Sequence, residues 1–223
     1  MMKQTLNLSK LQSLASQGDV RSQYRLGLKY SIGDEISKNV EKKEKWYRKA
    51  AEQGYAPAQH NLAEMYDYDI DVPRNGQEAV KWYKKAADLN HPSAQYSLAL
   101  KYDNGEDVSI DYKEAAKWYR KAAEYNYRSA QYRLGVMYST GEGVPKNVKE
   151  AVKWLTKASE LGSGHSDAQY RIGLIYSIGD DGVLKDLKKA KYWIKKAYEN
   201  PNATDSTKEL AKEEWSKLEL WKY

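Results

Sequence analysis

Apolar and small residues return along this chain in two alternating patterns. In the first, Ala130, Leu134 and Tyr138 lie at i, i+4 and i+8, the spacing of one helix face. In the second, Ala151, Trp154 and Ala158 mark the inward face of another helix. The pair recurs. Ser22–Tyr30, Ala58–Tyr66, Ala94–Tyr102 and Ala168–Tyr176 answer Ala130–Tyr138, and Trp46, Trp82, Trp118 and Trp193 answer Trp154. Gln23, Gln59, Gln95 and Gln131 are spaced by 36 residues. Self-similarity at such a period predicts a solenoid, in which each hairpin buries its apolar face on its neighbours.

The punctuation between the patterns agrees. Gly141-Glu-Gly-Val-Pro145 separates the two helices of one repeat, and Gly33, Gly105 and Gly179 recur at the same place. Glycine there ends a helix by tolerating positive φ. Asn39, Asn75, Asp111, Asn147 and Asp186 each stand seven residues before a tryptophan, and all are good N-cap residues. Gly18, Gly54, Asn90, Asn126 and Gly162 recur where each second helix should end. These two residue types accept a left-handed C′ conformation, which costs other L-residues about 1–2 kcal/mol.

The expected fold class is therefore all-α: an α/α superhelical solenoid of five helix-turn-helix repeats with a capping helix at each end. The expected division is 1–20 for the first cap, 21–200 for the repeats and 201–223 for the last cap, in one continuous solenoid. Thr5–Gln17 aligns with a second helix lacking its tryptophan. Ser206-x-x-Glu209 reads as a capping box opening a last helix with Leu210, Leu218 and Trp221 on one face. The total is twelve helices. The tryptophans are expected to be core.

Composition narrows the function classes. The 223 residues contain no Cys, which removes disulfides, thiolate metal sites and a Cys nucleophile. No stretch reaches the roughly 18 apolar residues of a membrane span, and the N-terminus lacks a signal-peptide apolar run. A cytoplasmic location is the default expectation, or a periplasmic one if a leader has been removed. Net charge is +6, with basic residues such as Lys81, Lys84, Lys85, Lys117, Arg120 and Lys121 on the second helices. That arrangement reads as a solvated outer face, not a nucleic-acid track. Phe is absent while Tyr reaches 20, a bias without a physical account.

Leu134-Gly135-x-x-Tyr138 and Glu114-Ala-Ala-Lys-Trp118-Tyr-Arg-Lys-Ala122-Ala123 resemble the motif of the Sel-one-like repeat (SLR) proteins, relatives of tetratricopeptide repeats. The resemblance covers roughly residues 5–200. The chain departs from the family where its glycine is Ala63 or Ala99, and in the glycine-free loop Asp67-Tyr-Asp-Ile-Asp-Val-Pro73. The resemblance implies a non-enzymatic adaptor that binds a protein or peptide along a concave wall lined by first helices. A second implied role is an immunity protein that neutralises a secreted toxin. Monomer or weak homodimer is the expected state, with Trp215 and Trp221 as the dimer contact, and no cofactor is expected.

By position, the resemblance places Tyr24, Leu28, His60, Glu64, Asp67, Tyr96, Leu100, Asp103, Tyr132, Val136, Tyr170 and Leu174 on that wall, with Ser31, Ser139 and Ser177 beside them. Tyrosine offers broad contact area and a hydroxyl, which suits a binding surface. Glu64, Asp67 and Asp103 would make the wall acidic at its middle, suiting a basic, partly aromatic or apolar segment. A second reading stays open on sequence alone: the tyrosines only pack within their own hairpins.

Other constellations carry less. Asp67-x-Asp69-x-Asp71 with Glu78 in twelfth place has calcium-loop spacing, but Val72 and Pro73 stand where that loop needs its glycine turn and carbonyl. Ser163-Gly-His165-Ser-Asp167 holds the letters of a hydrolase triad, yet one short loop cannot arrange the relay. It reads as a two-residue insertion between repeats. Gly141-x-Gly143 follows a helix, not a strand, and is no phosphate loop. His60, His91 and His165 fall in separate repeats without metal spacing.

Overall fold

The computed structural model describes residues 7–33, 35–160 and 165–222. Twelve α-helices run through them: α1 Leu8–Ser16, α2 Val20–Ile32, α3 Val40–Glu52, α4 Ala56–Tyr68, α5 Gly76–Asp88, α6 Pro92–Asn104, α7 Tyr112–Glu124, α8 Arg128–Thr140, α9 Val148–Glu160, α10 Ser166–Ile178, α11 Leu187–Glu199 and α12 Asp205–Lys217. A 3₁₀ turn, Leu220–Lys222, follows. The chain folds as two compact units, Met1–Ile110 and Asp111–Tyr223. Within each, every helix packs on the next in sequence, as an all-α solenoid requires.

The caps form as their sequence positions dictate. Asn39, Asn75, Asp111, Asn147 and Asp186 all accept a hydrogen bond from the backbone N–H two or three residues ahead. Gly18, Gly54, Asn90 and Asn126 hold φ of 97°, 81°, 60° and 60°; Gly162 lies outside the described residues. First helices end on left-handed Gly33, Gly105 and Gly141. The glycine-free loop behaves differently: α4 ends on Asp69 in an extended conformation.

Two devices join hairpin to hairpin. The first is the recurring glutamine. The side-chain amides of Gln23, Gln59, Gln95 and Gln131 donate to the carbonyls of Ala15, Ala51, Ala87 and Ala123 at 3.0–3.2 Å. Each acceptor is the penultimate residue of the preceding helix and also receives the C′ N–H of Gly18, Gly54, Asn90 or Asn126. The glutamine thus satisfies the second lone pair of a carbonyl that the helix end leaves short of partners.

The second device sits at the opposite end. Loops after first helices lay an acidic residue on the N-terminal turn of the preceding second helix or, at Lys38, on the residue before its N-cap. Asp71 pairs with Lys38 at 2.9 Å, and Asp181 accepts from the Val148 N–H at 3.4 Å. Asp107 occupies the space that a side chain at Gly76 would need. Negative charge at a helix N-terminus is favourable.

The densest packing lies one residue past each tryptophan. Tyr47, Tyr83, Tyr119, Leu155 and Ile194 are almost fully buried. A β-carbon added at Gly27 or Gly135 would stand 2.5 Å from the Tyr47 ring or 2.7 Å from Leu155. Those glycines exist to let the two helices of a hairpin approach. Trp82, Trp118 and Trp154 are buried, while Trp46 and Trp193 are half-buried. Lysine three residues on covers the outer face of each ring: Lys85 over Trp82 at 4.0 Å, Lys121 over Trp118 at 4.2 Å, Lys157 over Trp154 at 4.3 Å. Part of the basic outer face is therefore packing, not merely solvation.

The C-terminal end differs from the expectation, while Thr5 and Leu6 at the other end lie outside the described residues. The first described helix begins at Leu8. In α12 the N-cap is Thr204, accepting from the Thr207 N–H, so the Ser206–Glu209 box does not form. Its inward residues are Thr207 and Ala211, whereas Leu210 is 44% exposed. Trp221 sits in the 3₁₀ turn, and Leu220, unremarked in the sequence, is the buried residue there. The helix therefore starts two residues earlier than the Ser206 cap would place it, and the face it buries is set by packing around Thr207 and Ala211.

Two stability measurements test these assignments. Trp118→Ala is expected to lower unfolding free energy by about 3–5 kcal/mol in urea denaturation. Gln95→Ala, which leaves the Ala87 carbonyl only its bond from the Asn90 N–H, is expected to cost about 0.5–1.5 kcal/mol, and an exposed control, Lys84→Ala, less than about 0.5 kcal/mol.

Candidate protein-binding face

Fifth, ninth and twelfth positions of each first helix share one side, because they stand at i, i+4 and i+7. The ninth position is the accessible row: Glu64 is exposed, and Leu28, Leu100, Val136 and Leu174 are half-buried. At the fifth position Tyr24, Tyr96, Tyr132 and Tyr170 are half-buried and His60 is buried. At the twelfth, Ser31, Asp103 and Ser139 are half-buried, while Asp67 and Ser177 are buried.

The fifth-position rings do not simply pack within their own hairpins. Tyr24 and His60 meet Tyr47 and Tyr83 of their own hairpins at 5.9 and 5.8 Å, and three rings also meet the residue that precedes the next first helix. Tyr24 meets Tyr55 edge-on at 5.2 Å, His60 meets His91 at 4.9 Å, and Tyr132 stacks on His165 at 4.3 Å. His165, the only described histidine of the triad-like loop, is thus a stacking partner; Ser163 lies outside the described residues. Sequence reasoning missed the aromatic residue before four of the five first helices, although its recurrence as Tyr55, His91, Tyr127 and His165 is visible there.

In the first unit, α2, α3 and α4 enclose a hollow of about 380 Å³ lined by Leu28, Ser31, Tyr47, Asn61, Glu64 and Tyr68 among others. Asn61 donates to the hydroxyls of Tyr24 and Tyr47 at 3.3 and 3.4 Å, fixing its floor. Glu64 is 51% exposed, with His60 Nδ1 at 3.5 Å. Burial holds the His60 pKa below its ordinary value, against the Asn61 hydrogen bond, so the ring is neutral near pH 7. Burial also raises the Glu64 pKa, against the pull of Lys43. Lys43 is itself paired with Asp69. Glu64 therefore offers a carboxylate with no dedicated cation among the described residues.

Asp67 does something else. Its side chain is 0% exposed and pairs at 2.7 Å with Lys101, whose side chain is 1% exposed. Lys101 also reaches Glu106 and Asp107 at 3.3 and 3.2 Å, and Arg74 pairs with Asp107. Burial opposes charge on Lys101, but Asp67 and its neighbours hold the pKa above the usual lysine value. Asp67 thus belongs to a buried ionic joint between first helices and is not available as a wall residue. The calcium-spaced carboxylates are likewise committed: Asp67 to Lys101, Asp69 to Lys43, Asp71 to Lys38, and Glu78 to Lys81 and the Trp82 indole.

In the second unit, Tyr132 is clamped between His165 and Arg171, whose Nε donates to its hydroxyl at 3.0 Å. Val136 and Leu174 flank it on the ninth row of α8 and α10. Ser139 and Ser177 turn back to the carbonyls of Val136 and Leu174 and spend their hydroxyls locally. Among the described residues no group of histidines and carboxylates is placed to hold a metal ion, and no helix is long and apolar enough to cross a membrane.

With this geometry, the sequence comparisons agree. The Sel1 repeat matches residues 20–55, 56–91, 92–126, 128–163 and 166–202, and the chain belongs to the Sel1 repeat family. Sel1 repeats are protein-interaction modules and generally a non-enzymatic fold. No curated protein matches the chain significantly. Among solved structures, a protective antigen of uropathogenic Escherichia coli displaying an SLR fold is 36% identical over 86% of this chain and 41% of its own, with a TM-score of 0.81. The present chain thus spans less than half of that protein. A Sel1 repeat protein from Oxalobacter formigenes is 35% identical over 87% of this chain and 80% of its own, with a TM-score of 0.78.

Two measurements follow. Asp67→Asn is expected to cost about 1.5–3 kcal/mol, because Lys101 loses its nearest carboxylate and keeps Glu106 and Asp107, and Asp67→Leu/Lys101→Met to recover most of that loss. His91 accepts from the Ala94 N–H through Nδ1, and burial with His60 nearby lowers its pKa to about 4. The unfolded chain binds this proton more readily. Stability is therefore fully present above the unfolded pKa of 6.5 and is lost as pH falls toward about 4. His91→Asn, which keeps a capping acceptor, should flatten that part of the urea-midpoint profile.

Proposed function

We propose that the protein captures a segment of a protein partner along the face formed by its first helices. The observation that carries this reading is the hollow beside α2 and α4. It combines an apolar wall (Leu28), a tyrosine held by Asn61 (Tyr47), an exposed tyrosine (Tyr68) and a half-exposed carboxylate without a dedicated cation, Glu64. Tyrosines held by Asn61 lose little entropy on binding, which favours contact through them. The wall residues supporting the reading are Tyr24, Leu28, Glu64, Tyr96, Leu100, Asp103, Tyr132, Val136, Tyr170 and Leu174. A partner segment suited to the hollow carries a lysine or arginine for Glu64 beside an aromatic or aliphatic side chain.

Affinity capture with the wild type and with Glu64→Lys/Leu28→Ala tests this. Proteins retained by the wild type are expected to be lost, or bound at least about tenfold more weakly, by the variant, with an unchanged circular-dichroism melting curve. Equal retention by both would overturn the first-helix face as the site.

A further inference from the structure

The last helices depart from the repeat in a coordinated way. The seventh residue of a first helix is Leu26, Leu62, Leu98, Leu134 or Ile172 in the five repeats, each buried to 1% exposure or less. In α12 that position is Ala211. The eighth position, where the repeats place Gly or Ala for close helix approach, is Lys212, which is exposed. On α11, the position two before the tryptophan is Val80, Ala116 or Val152 in the three central repeats but Lys191 here. The position five after it is a buried Ala51, Ala87, Ala123 or Ser159 in earlier repeats and here is Tyr198, 50% exposed.

These exchanges meet in one place. Truncation at Ala211 leaves a cleft of about 510 Å³ between α11 and α12, lined by Ile194, Ala211, Tyr198, Trp215, Trp221 and the lysines. Its walls are aromatic, with Trp221 57% exposed. Its rim carries Lys191, Lys195 and Lys212 against the single carboxylate Glu199, which pairs with Lys195 at 3.7 Å. Lys191 lies 5.7 Å from the Trp215 ring centre. Among the described residues neither Lys191 nor Lys212 has an ion-pair partner. No repeat-packing duty accounts for these side chains.

We propose that this cleft is a second binding site, separate from the first-helix face, for an acidic peptide segment of a partner protein. One bulky apolar side chain of that segment fills the space over Ala211 and Ile194, between Tyr198, Trp215 and Trp221. Its flanking carboxylates meet Lys191 and Lys212. The charge of the rim selects the occupant: an apolar anchor alone would fit the cleft, but two unpaired ammonium groups beside it favour Asp or Glu around the anchor. A second copy of this chain, at net charge +6, is a poorer match. A concave slot also suits an inserted side chain better than a flat lipid surface.

The test is selection of a random displayed peptide library on the wild-type protein, with Ala211→Leu as soluble competitor to remove peptides that bind elsewhere. Ala211→Leu restores the repeat's own residue and should keep or raise the melting temperature. Expected are enriched peptides with one Leu, Phe, Trp or Met among Asp and Glu. Their synthetic forms should bind at least about tenfold more weakly to Ala211→Leu and to Lys191→Glu/Lys212→Glu. Enrichment of basic or uncharged peptides, equal binding to both variants, or no enrichment would overturn the proposal. Sedimentation of the wild type as a dimer dissolved by Ala211→Leu would replace it with a self-contact. Cosedimentation with phosphatidylserine-containing vesicles, lost in both variants, would replace it with a lipid surface.

Discussion

A helical hairpin of two thirteen-residue helices cannot bury its apolar faces alone. What holds these hairpins in register is the amide of Gln23, Gln59, Gln95 and Gln131, reaching the penultimate carbonyl of the helix before it. That carbonyl already accepts the N–H of a left-handed Gly or Asn. The hydrogen bond is buried, so losing it would leave the carbonyl's second lone pair without a partner and without water. Its direction also fixes where each first helix begins relative to the end of the previous second helix. Side-chain rows on successive first helices are aligned as a result within each unit.

Given that register, the chemistry of each row follows from what lies next to it. Inward rows are spent on packing: Ala58, Leu62 and Ala63 on α4, and Ala130, Leu134 and Gly135 on α8, where Gly135 meets Leu155 of its own hairpin. Rings at the fifth position are half-spent: Tyr24, His60 and Tyr132 each pair with the residue before the next first helix. The ninth row has the fewest obligations, and there Leu28, Glu64, Val136 and Leu174 keep surface available for a partner. Charge is divided the same way. Asp67, Asp69, Asp107, Lys43 and Lys101 neutralise one another across helix joints, whereas Glu64 is left with a neutral histidine.

A repeat protein also shows its special features by subtraction. Wherever a residue matches its counterparts, the stacking geometry is a sufficient reason for it. Lys85, Lys121 and Lys157, each over a tryptophan, need no further role. Lys191, Tyr198, Ala211 and Lys212 match nothing in the preceding repeats and gather around one cleft. The same comparison separates Asp67, which answers Ser31 and Ser139 in sequence but packs in its own way, from the residues around it.

The sequence by itself determined the number of helices, their caps and their pairing, because these rest on local chemistry. Asn or Asp seven residues before each tryptophan can only cap, and Gly or Asn after each second helix tolerates a left-handed turn wherever it occurs. The first-helix face was also legible as a set of positions, since i, i+4 and i+7 share one side of any helix. What those positions are free to do was decided only by tertiary structure. Asp67 looks the same in sequence as Asp103, yet it is buried because Lys101, thirty-four residues away, arrives beside it. The burial of Tyr47 and Tyr83, the aromatic stacks and the cleft at Ala211 likewise depend on which residues the hairpin packing brings together. Where the local signal was ambiguous, at Thr204 and Ser206, either residue could cap, and only the packing of Thr207, Ala211 and Leu220 chose the face.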